Sequence, residues 1–126
     1  MKRTVLSTEK APAAIGPYSQ GIMTDNLVFI SGQLPINPAD GKMIEGNIGA
    51  KTHQILANTK EVARQAGATL GNIVKTTIFL TDLADFQEVN SAYAEHFPAE
   101  PPARSTVQVA ALPLGSNIEI EFILAI

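Results

Sequence analysis

The sequence contains no cysteine. That excludes a disulfide framework, a thiolate-ligated metal and a thiol nucleophile. Histidine is nearly absent as well. His53 and His96 lie far apart in the chain and show neither HExxH nor HxH spacing, so no metal site is expected. Charge is thin: 17% of residues are charged, and 12 acids against 9 Lys and Arg give a net charge of −3. There is no Lys/Arg-rich run and no GxxxxGK[ST] loop, so neither a basic nucleic-acid footprint nor a P-loop is expected. Lys2 and Arg3 are not followed by the apolar stretch of about 7–15 residues that makes a signal peptide. No window approaches about 18 unbroken apolar residues, so no membrane span is expected. No repeat or low-complexity tract is present.

What is present is a chain of 126 residues with 45% hydrophobic content. Such a chain buries roughly two-thirds of its unfolded surface, enough for one core. The expectation is a soluble, cytoplasmic protein with a single domain over 1–126.

Strands are expected at Thr4–Ser7, Ser19–Thr24 and Leu27–Ser31, the last two joined through Asp25-Asn26. Leu34 to Gly49 reads as loop. Ile48 to Ala66 carries Ile48, Ile55, Leu56, Val62, Ala63 and Ala66 at helical period, with Thr52 and Thr59 on the same face and Gly67 as the stop. Asn72–Thr81 is rich in β-branched residues and reads as a strand. Asp85 followed by Glu88 reads as a capping box opening a second helix that runs to about Phe97, where prolines end it. Arg104–Ala110 and Asn117–Ala125 complete an α+β order, β-β-β-α-β-α-β-β. Two helices can cover one sheet face only. In the last strand, Ile118, Ile120, Phe122 and Leu124 mark that face. The other carries Glu119, Glu121, Ile123 and Ala125 and needs a further cover, for which a second copy of the chain is the simplest candidate.

Arg104 is the only Lys or Arg between Thr76 and Ile126, a stretch holding seven acids. Its planar fork fits a carboxylate. It could clamp a ligand, or pair with Glu119, Glu121 or an acid of the second helix. Glu119 and Glu121 share a face, with Cβ atoms about 7 Å apart. They could act as base and orienter, or form an ion-pair rim. Asn90 sits beside the apolar stripe of the second helix, where asparagine needs a hydrogen-bond partner. His53 reads as a surface residue and His96 as a partner of the helix dipole. Tyr18 in AIGPYSQG offers an aromatic wall. Ser31 lacks a His/Asp partner for a triad, and Gly32 permits close approach.

Four blocks, AIGPYSQG, FISGQLP, TTIFLTDLADFQEVNSAY and PARSTVQVAALPLGSNIEIE, resemble the reactive-intermediate deaminase family (Rid, YjgF type) in the right order from about Ala11 to Ile123. The arginine, the tyrosine of GPY and the glutamate of IEIE place the resemblance in its RidA-type branch. It implies a chorismate-mutase-like homotrimer with clefts between subunits and no cofactor or metal. The implied reaction is hydrolysis of the enamines and imines released by pyridoxal-phosphate dehydratases, 2-iminopropanoate and 2-iminobutanoate, to 2-keto acids and ammonia. By the same resemblance Arg104 would clamp the substrate carboxylate and Glu119 would orient the attacking water. Tyr18, Ser31, Gly32 and Asn90 would line the pocket, and Thr106 would offer its backbone N–H. Many relatives have cysteine where Thr106 stands, which removes any thiol-based behaviour here. Three other readings stand beside the enzyme. One is a non-catalytic module binding 2-keto acids or similar carboxylates. A second is RNA binding or cleavage, against which stand the acidic balance and the lack of a histidine pair. The third, a chaperone-like role, finds no support in the residues.

Overall fold

A computed structural model describes residues 2–126. The alternation of buried and exposed residues produces a six-stranded sheet in the order β1-β2-β3-β8-β6-β7. Its strands are β1 Thr4–Leu6, β2 Gly21–Met23, β3 Leu27–Gln33, β6 Ile73–Leu80, β7 Ala103–Gln108 and β8 Ile118–Ala125. All neighbours are antiparallel except β6 and β7, which are parallel. A parallel pair needs a long crossover, and helix α2 Phe86–Ala94 supplies it. Helix α1 Ile48–Arg64 packs beside α2 and against β3 and β8. The expected α+β order with two helices on one face is therefore met.

The core lies between that face and the helices. Val28, Ile30, Ile78, Leu80, Ile118, Ile120, Phe122 and Leu124 come from the sheet; Ile55, Leu56, Val62, Val89 and Tyr93 come from the helices. Tyr93 and Thr76 share a hydrogen bond of 2.8 Å inside it. In α1, Thr52 and Thr59 donate to the carbonyls of Ile48 and Ile55 (2.8 Å each), so both sit buried on the apolar stripe without a polar debt.

Several local readings are corrected. The segment read as loop after Leu34 contains a small hairpin, β4 Ile36–Asn37 and β5 Lys42–Met43. Strand β3 does not stop at Ser31. Ile30 pairs with Phe122 and Gln33 with Ile120, three steps on β3 against two on β8, so a bulge at Ser31-Gly32 turns Gln33 back into the core. Gln33 Nε2 donates across the bulge to the Ser31 carbonyl at 3.1 Å. Asp85 makes no cap hydrogen bond. Asp82 instead accepts from Ala84 N at 2.9 Å in a short 3₁₀ turn ahead of α2. Glu88 reaches across to α1, where its carboxylate accepts from Gly49 N at 2.9 Å beside the Asn47 cap.

Candidate active site

The bulge in β3 determines one half of the site. Ser31 is fixed to the turn before β2, its N–H donating to the Gln20 carbonyl (3.0 Å) and its hydroxyl to the Ser19 carbonyl. Gly32 then faces Glu119. A Cβ at position 32 would stand 2.5 Å from Glu119 Oε2 and 2.8 Å from its Cδ, so only glycine leaves the carboxylate its place. Tyr18, Ser31, Gly32 and Glu119 line one cleft of about 610 Å³. Ile15, Leu34, Ile36, Pro113 and Leu114 supply apolar wall. Burial, and then the neighbouring Glu121 charge, push the Glu119 carboxyl above the usual carboxylate range. Among the described residues Glu119 makes no salt bridge.

The other half gathers at the opposite edge of the sheet. Arg104 lies over two aromatic rings, its Cζ 5.0 Å from the Tyr93 centroid and 5.5 Å from that of Phe86. Asn90, Tyr93, Phe97, Pro101, Pro102 and Arg104 form a second cleft of about 520 Å³. Among the described residues Arg104 makes no salt bridge; the ion pairs considered for it with Glu119, Glu121 or an acid of α2 are absent. Its charge is held by ring faces instead, which leaves the fork free for an anion. Asn90 Oδ1 and Thr106 Oγ1 are buried without a hydrogen-bond partner.

Register explains why the halves do not meet. Thr76 pairs with both Arg104 and Phe122, whereas Phe79 pairs with Val107 and Glu119. Side chains alternate along a strand. Arg104 and Thr106 therefore share the helix-side face with Thr76 and Ile78, and Glu119 and Glu121 lie on the other face with Phe79 and Thr77. Two strand spacings and three residues of rise separate the Cα atoms of Arg104 and Glu119 by about 14 Å. Within one chain these two residues cannot touch one ligand.

Residues 8–126 match the family described as Endoribonuclease L-PSP. The chain belongs to this family. It is 55% identical over 123 residues to the Arabidopsis thaliana protein named Reactive Intermediate Deaminase A, chloroplastic, covering 98% of this chain and 66% of that protein's length. It is 47% identical over 119 residues to the Homo sapiens 2-iminobutanoate/2-iminopropanoate deaminase, covering 94% of this chain and 87% of the other. Among solved structures, the Rid-family protein YyfA of Yersinia pestis superposes with a TM-score of 0.96 at 47% identity over 99% of this chain and 100% of that one. The YjgF gene product of E. coli gives 0.90 at 44% over 97% and 98%. The resemblance drawn from the four sequence blocks is thus met by relatives across nearly the whole chain.

Three features of this chain escaped the sequence. Phe86 and Tyr93 of α2 both face Arg104. Leu114, between the last two strands, lines the Glu119 cleft in left-handed backbone (φ 58°). The sequence-remote histidines also meet: His53 Nδ1 and His96 Nε2 are 2.8 Å apart. They share a hydrogen bond, so the lack of a histidine pair read from the sequence is corrected. Among the described residues no cluster of three or more His, Asp or Glu could hold a metal, and no helix is long and apolar enough to cross a membrane.

Proposed function

We infer that this protein is a 2-iminobutanoate/2-iminopropanoate deaminase, hydrolysing reactive imino acids to 2-keto acids and ammonia. Identity over nearly the whole chain to two proteins named as deaminases of this kind carries the reading. An arginine free of any carboxylate partner and a carboxyl pushed upward beside a glycine-lined cleft support it.

The site we propose combines the Tyr18, Ser31, Gly32 and Glu119 cleft of one copy with Asn90, Arg104 and Thr106 of another. The opposite-face placement of Arg104 and Glu119 motivates a shared site, and a closed ring of three copies, the homotrimer, is the assembly we propose. The uncovered sheet face is where copies would meet; Phe29 and Val107 stand exposed there at 42% each.

In that arrangement Arg104 and the Thr106 N–H bind the substrate carboxylate, and the Asn90 amide completes the polar lining. Glu119 accepts a proton from water as its oxygen bonds to the imine carbon. The C=N electron pair moves to nitrogen, giving a carbinolamine. Glu119 then passes that proton to nitrogen; as the C–N bond breaks, the hydroxyl oxygen closes the C=O and gives its proton back to Glu119, and keto acid and ammonia leave. A protonated imine is already electrophilic, so placing one water and one carboxylate suffices. No step calls on a metal or an organic cofactor. We place the protein in the cytoplasm.

A coupled assay tests this. A threonine dehydratase generates 2-iminobutanoate with semicarbazide present, and semicarbazone is followed against 2-ketobutanoate. Wild type diverts imine to keto acid; Arg104→Ala and Glu119→Ala each lose about 10²-fold or more. Diversion no faster than without protein, with 2-ketobutanoate still bound, would instead identify a carboxylate-binding module. The family description also names an endoribonuclease. The acidic balance argues against that activity here, and RNA affinity falling steeply with salt would be its mark.

A further inference from the structure

The deaminase site leaves one cluster of chemically capable side chains unused. His53, midway along α1, and His96, just beyond α2, aim ring nitrogens at each other across the helix pair. Nδ1 of His53 and Nε2 of His96 are 2.8 Å apart, with ring centroids at 5.0 Å and planes tilted by 53°. The other nitrogen of His53 faces Glu95, Nε2 to Oε2 3.5 Å.

We propose that His53 and His96 form a binding site for a borderline-soft divalent cation of the zinc, nickel or copper class, with Glu95 as the carboxylate behind His53.

The geometry needs little change. Two nitrogens bound to one tetrahedral zinc at about 2.0–2.1 Å lie about 3.3 Å apart, so the pair opens by about half an ångström. The tautomers also fit. A cation on His53 Nδ1 requires the ring proton on Nε2, where Glu95 can accept it; a carboxylate behind a metal-bound imidazole fixes tautomer and orientation. His96 must move its proton from Nε2 to Nδ1, and no net proton is released. Imidazole suits zinc, copper and nickel. No third protein ligand completes the site among the described residues, so water fills the remaining positions. The pair lies on the helix side of the sheet, and both histidines come from one chain, so the site draws on no second copy.

Isothermal titration of the chelator-treated full chain with Zn²⁺ in a non-coordinating buffer tests the proposal. One Zn²⁺ per chain is expected. His53→Ala and His96→Ala should each weaken binding at least about tenfold, and Glu95→Gln about tenfold. At ten times the dissociation constant, Zn²⁺ should raise the wild-type Tm by about 5 °C and that of His53→Ala by far less. If His96→Ala does not fold, His53→Gln, at a half-exposed position, serves the same comparison. Absence of saturable binding, unchanged affinity in a folded histidine variant, or half a Zn²⁺ per chain would each overturn the intrachain pair.

Discussion

A methyl group at position 32 would stand 2.5 Å from a Glu119 carboxylate oxygen. Gly32→Ala should therefore move the carboxylate while sparing the core, because position 32 is exposed. A displacement near 1 Å at a reacting group costs about 10²-fold, so kcat should fall by about that factor with Tm nearly unchanged; steady-state kinetics beside a thermal melt checks this. Glu119 also gives a pH signature. It must be ionised to take a proton, and its pKa is raised by burial and then by Glu121. The acid limb of kcat/KM should thus lie above the ordinary carboxylate range. The effect on stability has the opposite sense. The folded state holds this proton more tightly than the unfolded chain, so the stabilisation is fully present below the ordinary carboxyl value of 4.5 and is lost as pH rises through the raised folded value. Glu119→Gln should abolish activity and flatten that loss of stability, as melts across pH would record.

At the scale of elements, β6, α2 and β7 form one unit whose interior hydrogen bond joins Thr76 to Tyr93. Tyr93→Phe keeps an aromatic face under Arg104 but strands the Thr76 hydroxyl. It should cost about 1–3 kcal/mol in denaturant unfolding and leave binding of 2-ketobutanoate largely intact. Such elements were legible in the sequence wherever a period was long enough to show. The α1 stripe from Ile48 to Ala63 and the alternation along Ile118–Leu124 announced themselves. The β4–β5 hairpin did not, because strands of two residues have no period. The capping box at Asp85 failed because Glu88 serves another helix's N-terminus, a long-range contact. His53 and His96 stayed apart on paper for the same reason: helix packing brings together residues separated by 43 positions. The site residues were named through family resemblance. Their division between two sheet faces needed the pairing of β6 with both β7 and β8, which no local pattern encodes.

For the whole molecule, the bare sheet face is decisive. Helices cover one face, and the other presents Phe29 and Val107 to solvent in the single chain. A charge there should prevent copies from closing over it. Wild type is expected to be a trimer by light scattering, and Phe29→Asp a monomer that loses deaminase activity while retaining its circular dichroism spectrum. Monomeric wild type with full turnover would refute the shared site.

The parity of β7 bears on how this gene can change length. Side chains alternate along the strand, so inserting or deleting one residue between Pro102 and Arg104 would exchange the directions of Arg104 and Ser105 unless the strand slipped to compensate. The proline-rich connection ahead of β7 can therefore grow or shrink in evolution only by steps that return the guanidinium to the α2 side. Single-residue indels in that connection should therefore be rare, a bias that comes from the pleat and is separate from the contacts Pro101 and Pro102 make in the Arg104 cleft.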